Sequence, residues 1–160
     1  MSRLFLYFIL IAFAFSCATG RLGSKTYKPA NADFAAEGIV FVSFQFKKKD
    51  HGVDVSYVES ISSSGTLKVP NAYEKNPDAK YLIQLQDEKG KPLADCYIED
   101  PLEEHKDVFS ENGKIEKAIV KFDEKILTIR LQKLSKNIAK AVVFEITTNQ
   151  YKYITNLNCQ

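Results

Sequence analysis

From Gly38 onward the apolar residues of this chain recur at every second position, in short runs broken by polar turns, and no segment sustains the 3.6-residue period of a helix. In Ile39–Phe46, Val40, Val42, Phe44 and Phe46 share one face, while Ile39, Phe41, Ser43 and Gln45 share the other. A strand apolar on both faces is one covered on both sides. This pattern commits the chain to an all-β fold.

The alternation divides the chain into eight or nine short strands. Lys49-Asp50-His51-Gly52 reads as a turn, after which Val53, Val55 and Tyr57 resume the period as far as Ile61. Ser62–Gly65 breaks it, and Thr66–Val69 is a short strand. Pro70–Lys80 is a polar loop with two prolines. Tyr81–Leu85 and Leu93–Ile98 form a hairpin across Asp87-Glu88-Lys89-Gly90. Glu99–Asn112 is an acidic connection with room for a helical turn around Leu102–Lys106. Ile115–Phe122 and Ile126–Leu131 read as a second hairpin across Asp123-Glu124-Lys125. Ile138–Thr147 and Tyr151–Thr155 complete the count. Strands of this length and spacing predict a two-layer antiparallel β-sandwich, with a closed barrel as the competitor.

The first seventeen residues obey a different logic. Arg3 supplies a positive head, Leu4–Phe15 (LFLYFILIAFAF) is unbroken apolar sequence, and Ser16-Cys17 closes it. Such a run is short for a bilayer span and has the form of a secretory signal. Because a cysteine preceded by a small residue ends it, the segment resembles a bacterial lipoprotein signal. The resemblance implies a signal peptide over 1–16 and palmitate and diacylglycerol on Cys17. It places the chain in the outer membrane, facing the periplasm. Residues 17–37, rich in small and polar residues, then read as the lipidated cysteine and a flexible tether, about 24 Å between its ends. The β domain occupies 38–160. Ordinary secretion, with cleavage at Ala12-Phe13-Ala14 or after Gly20, is the alternative; an uncleaved anchor is a third.

Composition narrows the partners. The chain has 22 basic and 20 acidic residues, so no strong field attracts nucleic acid. With Cys17 given to lipid, Cys96 and Cys159 remain, and in an oxidising compartment two cysteines form a possible disulfide. The other reading makes Cys96 a small buried apolar residue on a strand.

Motifs for chemistry are lacking. The sequence has no P-loop, GxGxxG, HExxH, CxxC or GxSxG. His51 and His105 each lie in a polar turn or loop. The cluster Glu99, Asp100, Glu103, Glu104 and His105 lacks the alternating ligands and glycine of a calcium loop, so no metal and no cofactor is expected there. Lys47-Lys48-Lys49 is a basic run suited to anionic head groups, or to protecting a sheet edge. The tyrosines offer stacking faces for sugars, although the chain has no Trp.

One stretch is similar to a known class of domain. Tyr81–Leu93 (YLIQLQDEKGKPL), followed by Ile98-Glu99-Asp100-Pro101, resembles the "strand, D-x-x-G-x-x-L, strand, D-P" hairpin of immunoglobulin-like accessory domains. These occur in secreted peptidases and in envelope lipoproteins of some Gram-negative bacteria. The resemblance extends through Ile126–Leu131 to Thr147. It implies an immunoglobulin-like sandwich and brings no catalytic residues.

The expectation is therefore a lipid-anchored, non-enzymatic module of the cell envelope that binds a protein or peptide partner. Its membrane contact is through Cys17. The loops Pro70–Lys80, with Tyr73 and Lys75, and Glu99–Asn112, with Glu99, Asp100, Glu103, Glu104 and His105, are the expected binding loops. The alternatives are a small hydrolase using carboxylates of the acidic loop, such as Glu99 and Glu104, and a peptidase inhibitor on an immunoglobulin-like scaffold.

Overall fold

The structure, a computed structural model, describes residues 26–71, 73–110, 113–148 and 150–159. The expected signal peptide, the expected lipidation site Cys17 and the expected tether up to Lys25 lie outside the described residues. Nine strands form: β1 (Phe34–Lys49), β2 (Gly52–Ser63), β3 (Tyr81–Gln86), β4 (Pro92–Ile98), β5 (Glu103–Phe109), β6 (Ile115–Lys121), β7 (Glu124–Leu134), β8 (Lys140–Thr147) and β9 (Gln150–Asn158). All pairings between them are antiparallel. They form a three-stranded sheet in the order β2-β1-β7, a four-stranded sheet in the order β4-β3-β8-β9, and a separate ribbon, β5-β6.

The alternation explains how the two larger sheets meet. Val40, Val42, Phe44 and Phe46 of β1 and Ile129 and Leu131 of β7 face Tyr81, Ile83 and Leu85 of β3 and Ala141 and Val143 of β8, all buried in one core. The central pairs, β1 with β7 and β3 with β8, occupy the places of the B–E and C–F pairs of an immunoglobulin sandwich, with β4 and β9 as C′ and G. The edge beside β1, where such a domain has its first strand, is filled instead by β2.

Local chemistry sets the turns. Gly90 has φ +76° and donates its N–H to the Asp87 carbonyl at 2.9 Å, while the Asp87 side chain accepts from the N–H groups of Lys89 and Lys91. The hairpin read from Asp87–Gly90 therefore forms as expected. Gly38 has φ +99°, and a Cβ there would lie 3.1 Å from the Lys133 side chain. Its N–H donates to the Gly65 carbonyl at 2.8 Å, at a register break in β1.

Several expectations are corrected. Thr66–Val69 is not a strand, although the neighbouring Asn71 forms an isolated bridge with Leu131. The helical turn expected around Leu102–Lys106 is largely strand β5. Ile115–Phe122 and Ile126–Leu131 are strands, yet not a hairpin with each other: β6 pairs with β5, and β7 with β1. The two residues between β6 and β7 hand the chain from the ribbon to the three-stranded sheet. Phe122 N–H donates to the Leu102 carbonyl and Lys48 N–H to the Asp123 carbonyl.

The expectation of a flexible tether over 17–37 does not hold for its described part. Phe34–Glu37 already belong to β1, and Tyr27 lies on the outer face of the four-stranded sheet. Its ring stands 4.2 Å from that of Tyr151 and edge-on to Phe144 at 6.0 Å. Its hydroxyl donates to Asp95 at 2.8 Å and shares a 3.0 Å hydrogen bond with Tyr97. The outer face carries its own apolar cluster of Leu82, Tyr97, Val142 and Phe144, and this segment covers part of it.

Cys96 and Cys159 are not paired; each is a separate buried thiol. β4 and β9 are the two outer strands of one sheet, with β3 and β8 between them. Three strand spacings separate their axes by about 14 Å, whereas a disulfide needs Cα atoms within about 7 Å. Cys96 is the small buried residue of the alternative reading. Cys159 donates its N–H to the Ala139 carbonyl at 2.9 Å and is 6% exposed.

Candidate functional site

The two sides of the sandwich are finished differently. On one side the chain between β2 and β3 crosses from β7 to β4. Gln132 N–H donates to the Pro70 carbonyl at 2.7 Å, the Asn71 amide donates to the Asp95 carbonyl at 3.0 Å, and Tyr97 N–H donates to the Tyr73 carbonyl at 2.9 Å. Tyr73 adds its hydroxyl, which accepts from Arg130 N–H at 3.2 Å. The expected binding loop Pro70–Lys80 thus spends the Pro70 and Tyr73 carbonyls and the Asn71 and Tyr73 side chains on closing the edges of β7 and β4. Lys75 sits exposed beyond this staple.

On the other side neither edge strand is hydrogen-bonded to a further strand, although β2 and β9 approach each other across the two sheets. Among the described residues β2 pairs only with β1, and β9 only with β8. β2 is twelve residues long and contains neither Pro nor Lys. Its protection is one bulge, where Tyr57 and Glu59 oppose Phe44 and Ser43 and leave Val58 extra, and the two exposed carboxylates Asp54 and Glu59. Val58 and Ile61 are exposed on this strand, at 42% and 52%.

The acidic segment holds the ribbon against the sandwich. Asp100 is ion-paired to Lys80 and accepts from Leu102 N–H at 3.0 Å, so it is a turn residue. On β5, Glu103 pairs with Lys121 at 3.0 Å, and His105 lies opposite Ile119. Glu99, Asp100, Glu103 and His105 share one hollow of about 480 Å³. Glu104 projects from the opposite face of the strand, 3.3 Å from Lys125. The Glu99/Glu104 pair named for hydrolysis is therefore not brought together.

A cleft of about 510 Å³ whose lining includes aromatic and aliphatic side chains lies at the end of the sandwich beside the β1–β2 turn. Its floor is Tyr81, Leu102, Phe122 and Ile154, and one lip is Lys48, Lys49, His51 and Gly52. Lys80, Lys121 and Lys152 enter from three other elements, each paired with a carboxylate of the cleft: Asp100, Glu103 and Glu145. Burial, and then those three carboxylates, push the Tyr81 phenol upward. Sequence reasoning found only the Lys47–Lys49 run, since the other lysines are scattered and converge only in the fold. Among the described residues no group of three His, Cys, Asp or Glu is placed to hold a metal, and no helix is long and apolar enough to cross a membrane. Comparison with protein-family models, with curated proteins and with solved structures finds no match to this chain.

Proposed function

We propose that this chain is a lipid-anchored β-sandwich of the bacterial cell envelope. It binds a protein partner without chemistry of its own, by adding an extended segment of that partner to the free edge of β2. The observation that carries the reading is the contrast between the two sides of the sandwich: one pair of edges is stapled shut by Pro70–Tyr73, while β2 keeps a long edge without lysine or proline. Such an edge is an aggregation hazard unless a partner covers it. Strand addition supplies affinity through main-chain hydrogen bonds, and exposed side chains such as Val58 and Ile61 supply selectivity. The anchor is supported by the apolar run and by Ser16-Cys17.

A photo-reactive phenylalanine analogue at position 58 or 61, irradiated in intact cells, should give the same adduct, and one at Lys89 should not. In the isolated complex the β2 amides should exchange with deuterium more slowly than in the free chain. Adducts of equal strength at Lys89, or unchanged exchange along β2, would remove strand addition. For the anchor, labelled palmitate should enter the wild-type chain and be absent from Cys17→Ala. Equal labelling of both would remove it.

A further inference from the structure

The end cleft is separate in chemistry from the β2 edge, although the two meet at Gly52. Its volume of about 510 Å³ falls in the range of small-molecule sites. Lysines from four distant parts of the sequence converge on it: the Lys48-Lys49 pair, Lys80, Lys121 and Lys152. Only three carboxylates line the same cleft, so its lining holds two more lysines than carboxylates, one of which is paired outside the cleft. Lys49 leans outward, 3.5 Å from Asp54, and Lys48 makes no ion pair within 4.0 Å among the described residues. The pairs of Lys121 and Lys152 are exposed, their lysines at 71% and 69%. Ion pairs of that kind contribute little and exchange partners at small cost. An arriving anion can therefore recruit Lys48, Lys121 and Lys152 together. Below the lysines the floor is apolar and aromatic, with Phe122, Leu102 and Ile154 beside Tyr81.

We propose that this cleft binds a small organic anion, a carboxylate or phosphate carried on an apolar stem. The stem lies on Phe122 and Ile154 and the charged head meets the lysines at the mouth. The site does not rest on strand addition at β2, and each reading survives failure of the other.

The test is a titration of the ¹⁵N-labelled full chain in a nonionic maltoside. The probes are phenyl phosphate, benzoate, inorganic phosphate and phenyltrimethylammonium. The first two should shift the amides of His51, Gly52, Val53 and Tyr153 saturably. Inorganic phosphate, which lacks the stem, should bind about tenfold more weakly, and the cation should not saturate. Lys48→Glu with Lys49→Glu should weaken phenyl phosphate about tenfold, and Lys68→Glu on a distant surface should leave it unchanged. An unchanged amide spectrum elsewhere would show that the double variant is folded. Competition with dihexanoylphosphatidic acid separates the sources: displacement at lower concentration than phenyl phosphate assigns a lipid head group, and the reverse assigns a soluble ester. Equal binding of the cation, indifference to the Lys48/Lys49 double variant, or no saturable shift with either organic anion would overturn the proposal.

Discussion

Replacing Phe44 by Ala should destabilise the chain by about 3–5 kcal/mol, whereas replacing Ile61 by Ala should change stability by less than about 0.5 kcal/mol. Strict alternation from Val53 would place Ile61 on the inward face with Val53, Val55 and Tyr57. The bulge at Val58 reverses the phase. Before it, Tyr57 lies opposite Phe44; after it, Ser60 and Ser62 lie opposite Val42 and Val40, and Ile61 turns outward opposite Phe41. Phe44 is 0% exposed, packs edge-on to Tyr57 at 6.3 Å, and sits on the central strand of its sheet. Removing its ring leaves a cavity that the rigid β1–β7 pairing limits from collapsing. Ile61, at 52% exposed, loses mostly solvated surface. Urea unfolding of the two variants reads the difference as a shift in midpoint at constant slope. Comparable losses for both would mean that the bulge is misplaced and β2 slips by one residue.

The same bulge shows where legibility ends. A strand with one face in the core advertises itself, and β1, β3, β4, β7 and β8 were readable for that reason. The β3–β4 hairpin was readable because Asp87 and Gly90 are required by the turn chemistry itself. β5 was not readable: most of Glu103–Phe109 is solvated on both faces, so no hydrophobic alternation exists to be seen. Missing β5 left β6 without its partner and made Asp123-Glu124-Lys125 look like a hairpin turn. Partner choice is a tertiary property. β7 chooses β1 because Ile129 and Leu131 complete the core beside Val42 and Val40. The packing of Tyr27 is hidden in the sequence for a related reason. Tyr27 is one aromatic residue in a polar stretch, and its place emerges only when Tyr97, Phe144 and Tyr151 are assembled on one face. The acidic cluster was visible as composition, but its roles in turn and ribbon depend on lysines distant in sequence. The end cleft was invisible as a unit, since no local pattern links Lys48 to Lys121 or Lys152.

The second large effect is alkaline unfolding. Under reducing conditions, stability should hold from pH 7 to about 9 and then fall steeply. The groups responsible are buried acids that are neutral when folded. Burial pushes both thiols up, Cys159 to about 11 and Cys96 further. Burial first raises all three phenols of Tyr27, Tyr81 and Tyr97; hydrogen bonds to Tyr97 and Asp95 add to it at Tyr27, the carboxylates Asp100, Glu145 and Glu103 at Tyr81, and the Tyr151 hydrogen bond at Tyr97, which is pushed up to about 12. An unfolded thiol ionises near pH 9 and an unfolded phenol near 10. Between the unfolded and folded values the unfolded chain has lost a proton that the folded chain keeps. It therefore binds fewer protons, and stability declines as pH rises. The contribution of each group is fully present below its unfolded value and is lost as pH climbs through the folded one. Each thiol contributes a slope of about 1.4 kcal/mol per pH unit in its window, which for Cys159 runs from about 9 to about 11. The tyrosines join above pH 10 and steepen the fall. Urea midpoints at pH 7, 9, 10 and 10.5 measure the curve. The Cys96→Ala, Cys159→Ala double variant separates its parts: it should lower stability at pH 7 yet flatten the decline between pH 9 and 10, leaving the tyrosine limb in place. A wild-type midpoint unchanged to pH 10.5 would mean that these thiols and phenols reach water in the folded chain. The packing of Tyr27 on the outer face and the burial of Cys159 would then both be wrong.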